Sequence, residues 1–208
     1  MEIYKTLEIT QNSPTSRVFN LRINRPSLRN ALSLDFFTEF PKALTSLDQN
    51  PDASVIVLSG NGDHFCAGID LKALSSMSAA EVDLGITADL GTLQRLPSIV
   101  GYGKAVELAL SARRFSGSEA KELGLVSRVF GSKDAMDEGV QAIAEEIAAK
   151  SPLAVTGTKA VLLRSRDLTV NQGLDYIATW NSGMLLSDDL VEATAAQSQK
   201  RAPSFSKL

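Results

Sequence analysis

The order of the periodic segments along the chain restricts its fold more than any other feature. Apolar and polar residues alternate over residues 3–9 and 17–23, as in half-buried strands, and residues 12–14 provide a turn between them. A β-branched run at residues 54–58 is typical of a strand buried on both faces of a parallel sheet. Helical periodicity dominates after residue 98. Strands that come early and helices that come late predict an α/β fold with a helical C-terminal region.

Caps and breakers mark the helices. Ser33 can cap a helix that has Asp35 in its first turn, and Pro41 falls inside it, so we expect a kink or two shorter helices there. Later helices are predicted over residues 98–113, 118–123, 134–150, 153–164, 170–186 and 188–201, with a strand at 125–130. In the helix at 134–150 the side chains expected to face inward are Val140, Ile143, Ala144 and Ile147. We therefore divide the chain into a core, residues 1–130, and a helical region, residues 131–208.

Composition excludes several classes of protein. The 21 basic and 24 acidic residues give a net charge of −3, whereas binding to nucleic acid usually requires a basic excess. No apolar run approaches the ~20 residues that span a bilayer, so no membrane span is predicted. One Cys and one His exclude an intramolecular disulfide framework and a structural zinc site, and no metal is expected. The N-terminus does not have the pattern of a secretory signal, and we expect a soluble intracellular protein.

The chain ends in Ser206-Lys207-Leu208, the tripeptide that the peroxisomal import receptor reads. Pro203 and its neighbours break the preceding helix and are expected to leave the tail extended and accessible. The alternative is an accidental tripeptide on a frayed end. We expect a peroxisomal location, with the import receptor as a partner.

Two segments contain residues suited to chemistry. In the first, residues 64–72, Ala67 and Gly68 let a ligand approach the backbone, whose N–H groups can polarise an oxygen. On composition alone an ordinary strand-to-helix loop is the better explanation of this segment. His64 and Cys66 could suggest a nucleophile–base pair, but we reject a Cys/His dyad there.

The second segment, residues 81–97, places carboxylates in apolar, glycine-punctuated surroundings that raise a carboxyl pKa toward neutrality and suit it to proton transfer. Taken alone, these acids are better explained as solvated surface groups.

Together these segments belong to an ordered series of motifs along the chain: Arg25-Pro26, Asn30-Ala31-Leu32, residues 55–58, 65–71, 81–96, 105–108, 120–126 and 154–159. In order and spacing the series resembles the enoyl-CoA hydratase/isomerase (crotonase) family over almost the whole chain. The resemblance implies a crotonase-type β-β-α spiral core, shortened here, with a helical C-terminal region. It also implies a homo-oligomer, a trimer or hexamer, because the helical region makes trimer contacts in this family.

The resemblance also assigns residues. Glu81 falls on the glutamate that handles the proton at the α-carbon of the acyl thioester, and Asp89 takes a position that is glycine in hydratases and acidic in Δ3,5-Δ2,4-dienoyl-CoA isomerases. Ile69 would donate one oxyanion-hole N–H to the thioester oxygen. The remaining residues expected to bind the substrate are Cys66, Ala67, Gly68 and Asp70, with Arg29 and Lys72 as candidates for the phosphates of CoA.

A large piece of the family pattern has no counterpart. Between the positions matching Leu74 and Glu81, family members carry a helix, a strand and a glycine-rich turn that supplies the second oxyanion N–H. Only residues 75–80 stand there, a loss of roughly 60–70 residues. We interpret the chain as a relative with an internal deletion, such as exon skipping or a faulty gene model would produce. A smaller enzyme with a rebuilt site is the alternative.

The implied reaction converts a 3,5-dienoyl-CoA to the 2,4-dienoyl-CoA, with Glu81 acting at C2 and Asp89 at C6, or the reverse. Acyl-CoA is the substrate and no cofactor is implied. The alternatives are a 2-enoyl-CoA hydratase and a catalytically impaired chain that only binds CoA or partner subunits.

Overall fold

The computed structural model describes residues 3–70, 87–88 and 91–206. Strands β1 (Leu7–Gln11), β2 (Val18–Ile23) and β3 (Val55–Gly60) form a sheet in the order β1-β2-β3. β3 runs parallel to β2, because the N–H of Ser54 donates to Arg17 O and the N–H of Asn61 donates to Ile23 O, each at 2.9 Å. The parallel strand expected at residues 54–58 is therefore present.

The α-helices in the described part of the chain are α1 (Leu34–Asp48), α2 (Thr92–Val100), α3 (Tyr102–Ser111), α4 (Gly117–Glu122), α5 (Lys133–Ala148), α6 (Pro152–Arg164), α7 (Val170–Met184) and α8 (Asp188–Ser198). Short 3-10 turns lie at Pro26–Leu28 and Ser165–Asp167. None of the described helices is long and apolar enough to cross a membrane.

The chain divides into two compact units. The first consists of Met1–Glu8, Arg22–Pro41 and Ser59–Gly139, and the second of Ile9–Leu21, Lys42–Leu58 and Val140–Leu208. In the first unit Phe36 of α1 is buried and its ring stacks on Phe40, with ring centroids 5.0 Å apart.

The core of the second unit forms between the sheet and α5. Val18 of β2 is fully buried and clusters with Ala144 and Ala148 of α5. Val55 and Val57 of β3 pack against the same cluster. Alternate residues of β3 thus supply one face of this core.

The structure corrects the burial predicted for two elements. β3 is not buried on both faces, because Ile56 and Leu58 are 36% and 43% exposed. In α5 the buried side chains are Ala144 and Ala148, whereas Ile147, expected to face inward, is exposed. Periodicity predicts which segments form helices and strands. Which face of each element is buried depends on residues far away in the sequence.

Several predicted boundaries are also wrong. The first strand begins at Leu7 and not at residue 3. The helix expected over residues 98–113 is two helices, because Gly101 adopts a φ of 86° that ends α2. Residues 125–130 form no strand. Pro41 lies inside one continuous α1, so two shorter helices do not occur.

Candidate active site

Asn30 organises the loop between β2 and α1. It is fully buried with a φ of 57°, a left-handed conformation that Asn tolerates better than most residues. Its Oδ1 accepts from the N–H of Arg25 at 2.9 Å, and its Nδ2 donates to the carbonyl oxygens of Asn61 (2.9 Å) and His64. A Cβ on Gly60 would collide with the Asn30 amide and with the carbonyl oxygen of His64, so glycine is needed there. Asn30 thereby ties this loop to the one that leads into residues 66–70.

Leu32 pairs with Ile69 in an isolated parallel bridge. The N–H of Leu32 donates to Gly68 O at 2.8 Å, and the N–H of Asp70 donates to Leu32 O at 2.9 Å. Since backbone groups alternate between the two edges of an extended segment, the N–H of Ile69 points away from Leu32. Within the described part of the chain this N–H donates to no acceptor.

The backbone beside Ile69 is open to a ligand. Ala67 and Gly68 are exposed, and Gly68 adopts a φ of 88°. No described atom outside residues 67–69 lies within 4 Å of the position that a Cβ on Gly68 would occupy. A carbonyl oxygen that enters this space can accept the N–H of Ile69, as expected for an oxyanion donor.

An ion pair closes the other side of the segment. Arg25 Nη2 contacts Asp70 Oδ2 at 2.8 Å, with side chains only 19% and 14% exposed, and Arg25 Nη1 donates to the carbonyl oxygen of Ala31. The carboxylate of Asp70, expected to bind substrate, is thus held by Arg25.

Of the other predicted site residues, some lie in or near this loop and some lie outside the described part of the chain. The thiol of Cys66 contacts the backbone of Gly68, accepting from its N–H at 3.3 Å, whereas His64 is exposed. Arg29 is exposed at the end of the Pro26–Leu28 turn. The proposed acids Glu81 and Asp89, together with Lys72, Lys207 and Leu208, lie outside the described residues.

Sequence reasoning missed the roles of Arg25, Asn30 and Asn61 in holding this segment. Arg25-Pro26 and Asn30 entered only as elements of a motif series. An Asn after a short turn is a signal for a left-handed residue, but its long-range carbonyl partners at Asn61 and His64 leave no local pattern.

A second, mostly apolar cleft of about 500 Å³ lies among α6, α7 and α8. Leu153, Val161, Ile177 and Leu185 contribute to its walls. The indole N–H of Trp180, which also lines it, is buried and finds no acceptor among the described residues. The cleft suits an apolar group.

Glu192 anchors the chain beyond α8. Its carboxylate accepts from Arg201 Nη1 at 2.6 Å, from Arg201 Nη2 at 2.8 Å and from the N–H of Ser204 at 2.7 Å. The hydrogen bonds from Arg201, and then that from Ser204, lower the pKa of Glu192 to about 2. Ser206 is exposed beyond this anchor.

Comparison with known proteins gives consistent matches. A family model described as Enoyl-CoA hydratase/isomerase matches residues 14–79 and 74–207. The peroxisomal Delta(3,5)-Delta(2,4)-dienoyl-CoA isomerase of Arabidopsis thaliana is 55% identical, with 100% of this chain and 99% of the relative covered. The mitochondrial protein of the same name from Mus musculus is 33% identical, with 99% and 84% covered. A solved enoyl-CoA hydratase from Bacillus anthracis superposes with a TM-score of 0.90 at 25% identity, covering 97% of this chain and 99% of that one. This likeness confirms the expected fold class.

The same matches place the expected gap. The two stretches of the family match meet at residues 74–79. The alignment with the Arabidopsis relative is 276 positions long against the 208 residues of this chain, which leaves 68 positions unoccupied. Both the place and the size agree with the expected loss between Leu74 and Glu81.

Proposed function

The chain belongs to the enoyl-CoA hydratase/isomerase family, and from this membership we propose that its site isomerises 3,5-dienoyl-CoA to 2,4-dienoyl-CoA. The observation that carries the proposal is the 55% identity to a relative named for this reaction, over the whole of this chain. The hydratase alternative has weaker support, since the hydratase of similar structure shares 25% identity.

The chemistry begins at the thioester. Its oxygen accepts the N–H of Ile69 while Glu81 takes a proton from C2, so the C2–H bond breaks and the electron pair spreads over the oxygen, C4 and C6. A proton from Asp89 then forms the C6–H bond, and the two double bonds move to the 2 and 4 positions. The donated hydrogen bond strengthens as charge develops on the oxygen, which lowers the barrier. The order of the two acids follows the hydratase pattern, and the reverse order is the alternative.

The same site holds the CoA part of the substrate. Ala67 and Gly68, both exposed, leave room for the thioester end, and Cys66 shapes the loop through its contact with Gly68. Arg29 is exposed and free to meet phosphate, with Lys72 as its proposed partner. The reaction needs no metal or redox cofactor, because CoA arrives as part of the substrate.

A second candidate function rests on the 68 unoccupied alignment positions. The family's second oxyanion donor belongs to the segment missing between Leu74 and Glu81. One such donor contributes about 10²–10³ in rate. The chain would then bind CoA or partner subunits with little turnover.

A relative supports the location of the chain, and its partners and assembly are proposals. The peroxisomal location is confirmed by the peroxisomal relative at 55% identity. We propose the import receptor as the partner of the C-terminal tripeptide. We also propose a homo-oligomer, a trimer or hexamer, supported by exposed apolar side chains on α6, α7, α8 and the turn between α7 and α8, among them Leu162, Leu174, Leu186 and Val191.

One experiment separates the two functions. The purified 208-residue chain, shown to be monodisperse, is given 3,5-dienoyl-CoA, and the change in dienoyl absorbance is followed. We expect isomerisation at least about 10²-fold slower than in a full-length relative. Binding without detectable turnover supports the impaired chain, whereas hydration of a 2-enoyl-CoA without isomerisation contradicts the isomerase proposal.

A further inference from the structure

The side chains of Arg25, Asn30 and Asp70 contact one another or the backbone around the segment that presents the N–H of Ile69. We propose that Arg25, Asn30 and Asp70 form a bracket that positions this N–H toward the thioester oxygen. The inference rests on the proposed function, because it needs Ile69 to be an oxyanion donor.

The ion pair secures one end of the segment. Asp70 follows Ile69 directly, and its carboxylate lies 2.8 Å from Arg25 Nη2. The same guanidinium donates to the carbonyl oxygen of Ala31, the residue before Leu32. The side chain of Arg25 therefore joins the two stretches that the Leu32–Ile69 bridge joins through its backbone. Two backbone hydrogen bonds alone form a marginal contact, so the ion pair sets the distance between these stretches.

Asn30 secures the other end. Both carbonyl groups that its amide binds, those of Asn61 and His64, precede residues 66–70 in the same loop. Its Oδ1 takes the N–H of Arg25, so the two members of the bracket are coupled. Because Asn30 is 0% exposed and these bonds are fully formed, its position admits little freedom.

Stability alone is a poor reason for this arrangement. A partly buried ion pair gains little net stability, since desolvation offsets the attraction between its charges. Position matters far more for a donor, because a misplacement of about 1 Å can cost about 10²-fold in rate. The bracket lies next to Ala67 and Gly68, the exposed residues where a ligand can approach.

The test uses the 208-residue chain and, as a probe, 2,4-dienoyl-CoA labelled with ¹³C at the thioester carbonyl. A hydrogen bond to that oxygen lowers the carbonyl stretching frequency, which difference infrared spectroscopy measures in the bound state. Arg25→Met and Asn30→Asp should each lose at least half of this shift while the Kd for the probe changes by less than about twofold. Arg25→Lys should recover part of the shift, and Arg128→Met, which removes an exposed arginine of the same unit, should keep all of it.

If Arg25→Met and Asn30→Asp keep the full shift of the carbonyl stretching frequency, the proposed role of the bracket is wrong. A wild-type chain that binds without a shift, or does not bind, contradicts the proposed function instead. The bracket is then judged in the unliganded chain, where Arg25→Met should speed hydrogen exchange of the Leu32 and Asp70 amides by about tenfold and leave the amides of α7 unchanged. Unchanged exchange at Leu32 and Asp70 overturns it.

Discussion

Leu32 and Ile69 meet in a parallel bridge that uses the N–H of Leu32 and the N–H of Asp70, at 2.8 and 2.9 Å from their acceptors, and leaves the N–H of Ile69 on the opposite edge. The pairing therefore orients a backbone donor without consuming it. Gly68, exposed beside it, leaves that donor accessible.

Removing this donor should remove catalysis without removing the bridge. Ile69→Pro deletes the N–H, and we expect turnover to fall by about 10²–10³-fold. Activity is best measured in a filled chimera, in which residues of the Arabidopsis relative are inserted at the 68 unoccupied positions. Ile69→Val retains the N–H and should keep its turnover within a few-fold. Equal losses in the two variants would show that the side chain matters and the N–H does not.

The proposed acids are tested in the same filled chimera. Glu81→Gln and Asp89→Asn should each lower isomerase kcat by about 10²-fold or more, the usual scale for a general acid or base. KM should change little, because neither acid is expected to hold CoA. Exchange of deuterium from a substrate labelled at C2 should stop in the variant that lacks the C2 base, which assigns the two acids. Undiminished activity of Asp89→Asn would contradict the choice of a dienoyl isomerase over a hydratase.

Local sequence patterns predicted many of the helices and strands, but few of the contacts that hold the candidate site in place. Ser33 and the apolar spacing after it predicted α1 correctly, because caps and periodicity are properties of neighbouring residues. The break at Gly101 was missed, since a glycine within a helical pattern is often tolerated. The exposed face of β3 and the pair formed by Arg25 and Asp70 depend on contacts between distant segments, and no local pattern encodes them.

The tail makes a prediction about location. A fluorescent protein that carries residues 202–208 at its C-terminus should appear as peroxisomal puncta, because the receptor reads the terminal tripeptide. The same fusion without Leu208 should stay in the cytosol. Diffuse fluorescence from the intact tail would contradict the targeting role of Ser206-Lys207-Leu208.

Glu39 gives the first unit a pH-dependent contact. Its carboxylate accepts from Thr6 Oγ1 at 2.6 Å and from the N–H groups of Lys5 and Thr6 at 2.9 Å. Partial burial raises the pKa of Glu39, but these hydrogen bonds outweigh it and hold the pKa below the ordinary value of 4.5. Because the folded-state pKa is depressed, the contact stabilises fully above the unfolded value and is lost as the pH falls through the folded value.

Glu39→Gln should therefore lower the free energy of unfolding near pH 7 by about 1 kcal/mol, the difference between a charged and a neutral acceptor. The difference between variant and wild type should shrink in strongly acidic solution, at a pH below the depressed folded-state pKa of Glu39, where the wild-type carboxyl is protonated. Thermal unfolding at both pH values measures it. Glu138→Gln, on an exposed part of α5, serves as the control. A destabilisation that is the same at both pH values would show that the charge of Glu39 plays no part.

Substitution to Thr should change association when it is made on the exposed face of β3 and stability when it is made on the buried face. Ile56 and Leu58 are 36% and 43% exposed, whereas Val57, between them, packs on the cluster around Val18. An exposed apolar strand face favours association, so Ile56→Thr with Leu58→Thr should reduce light scattering by the purified chain and leave its thermal midpoint nearly unchanged. Val57→Thr, the matched control, places a hydroxyl in the core and should destabilise by about 1–3 kcal/mol. The contrary result is a double variant that lowers the thermal midpoint as much as Val57→Thr does. That result would show that Ile56 and Leu58 are buried in solution, as they would be at a contact between subunits of an oligomer.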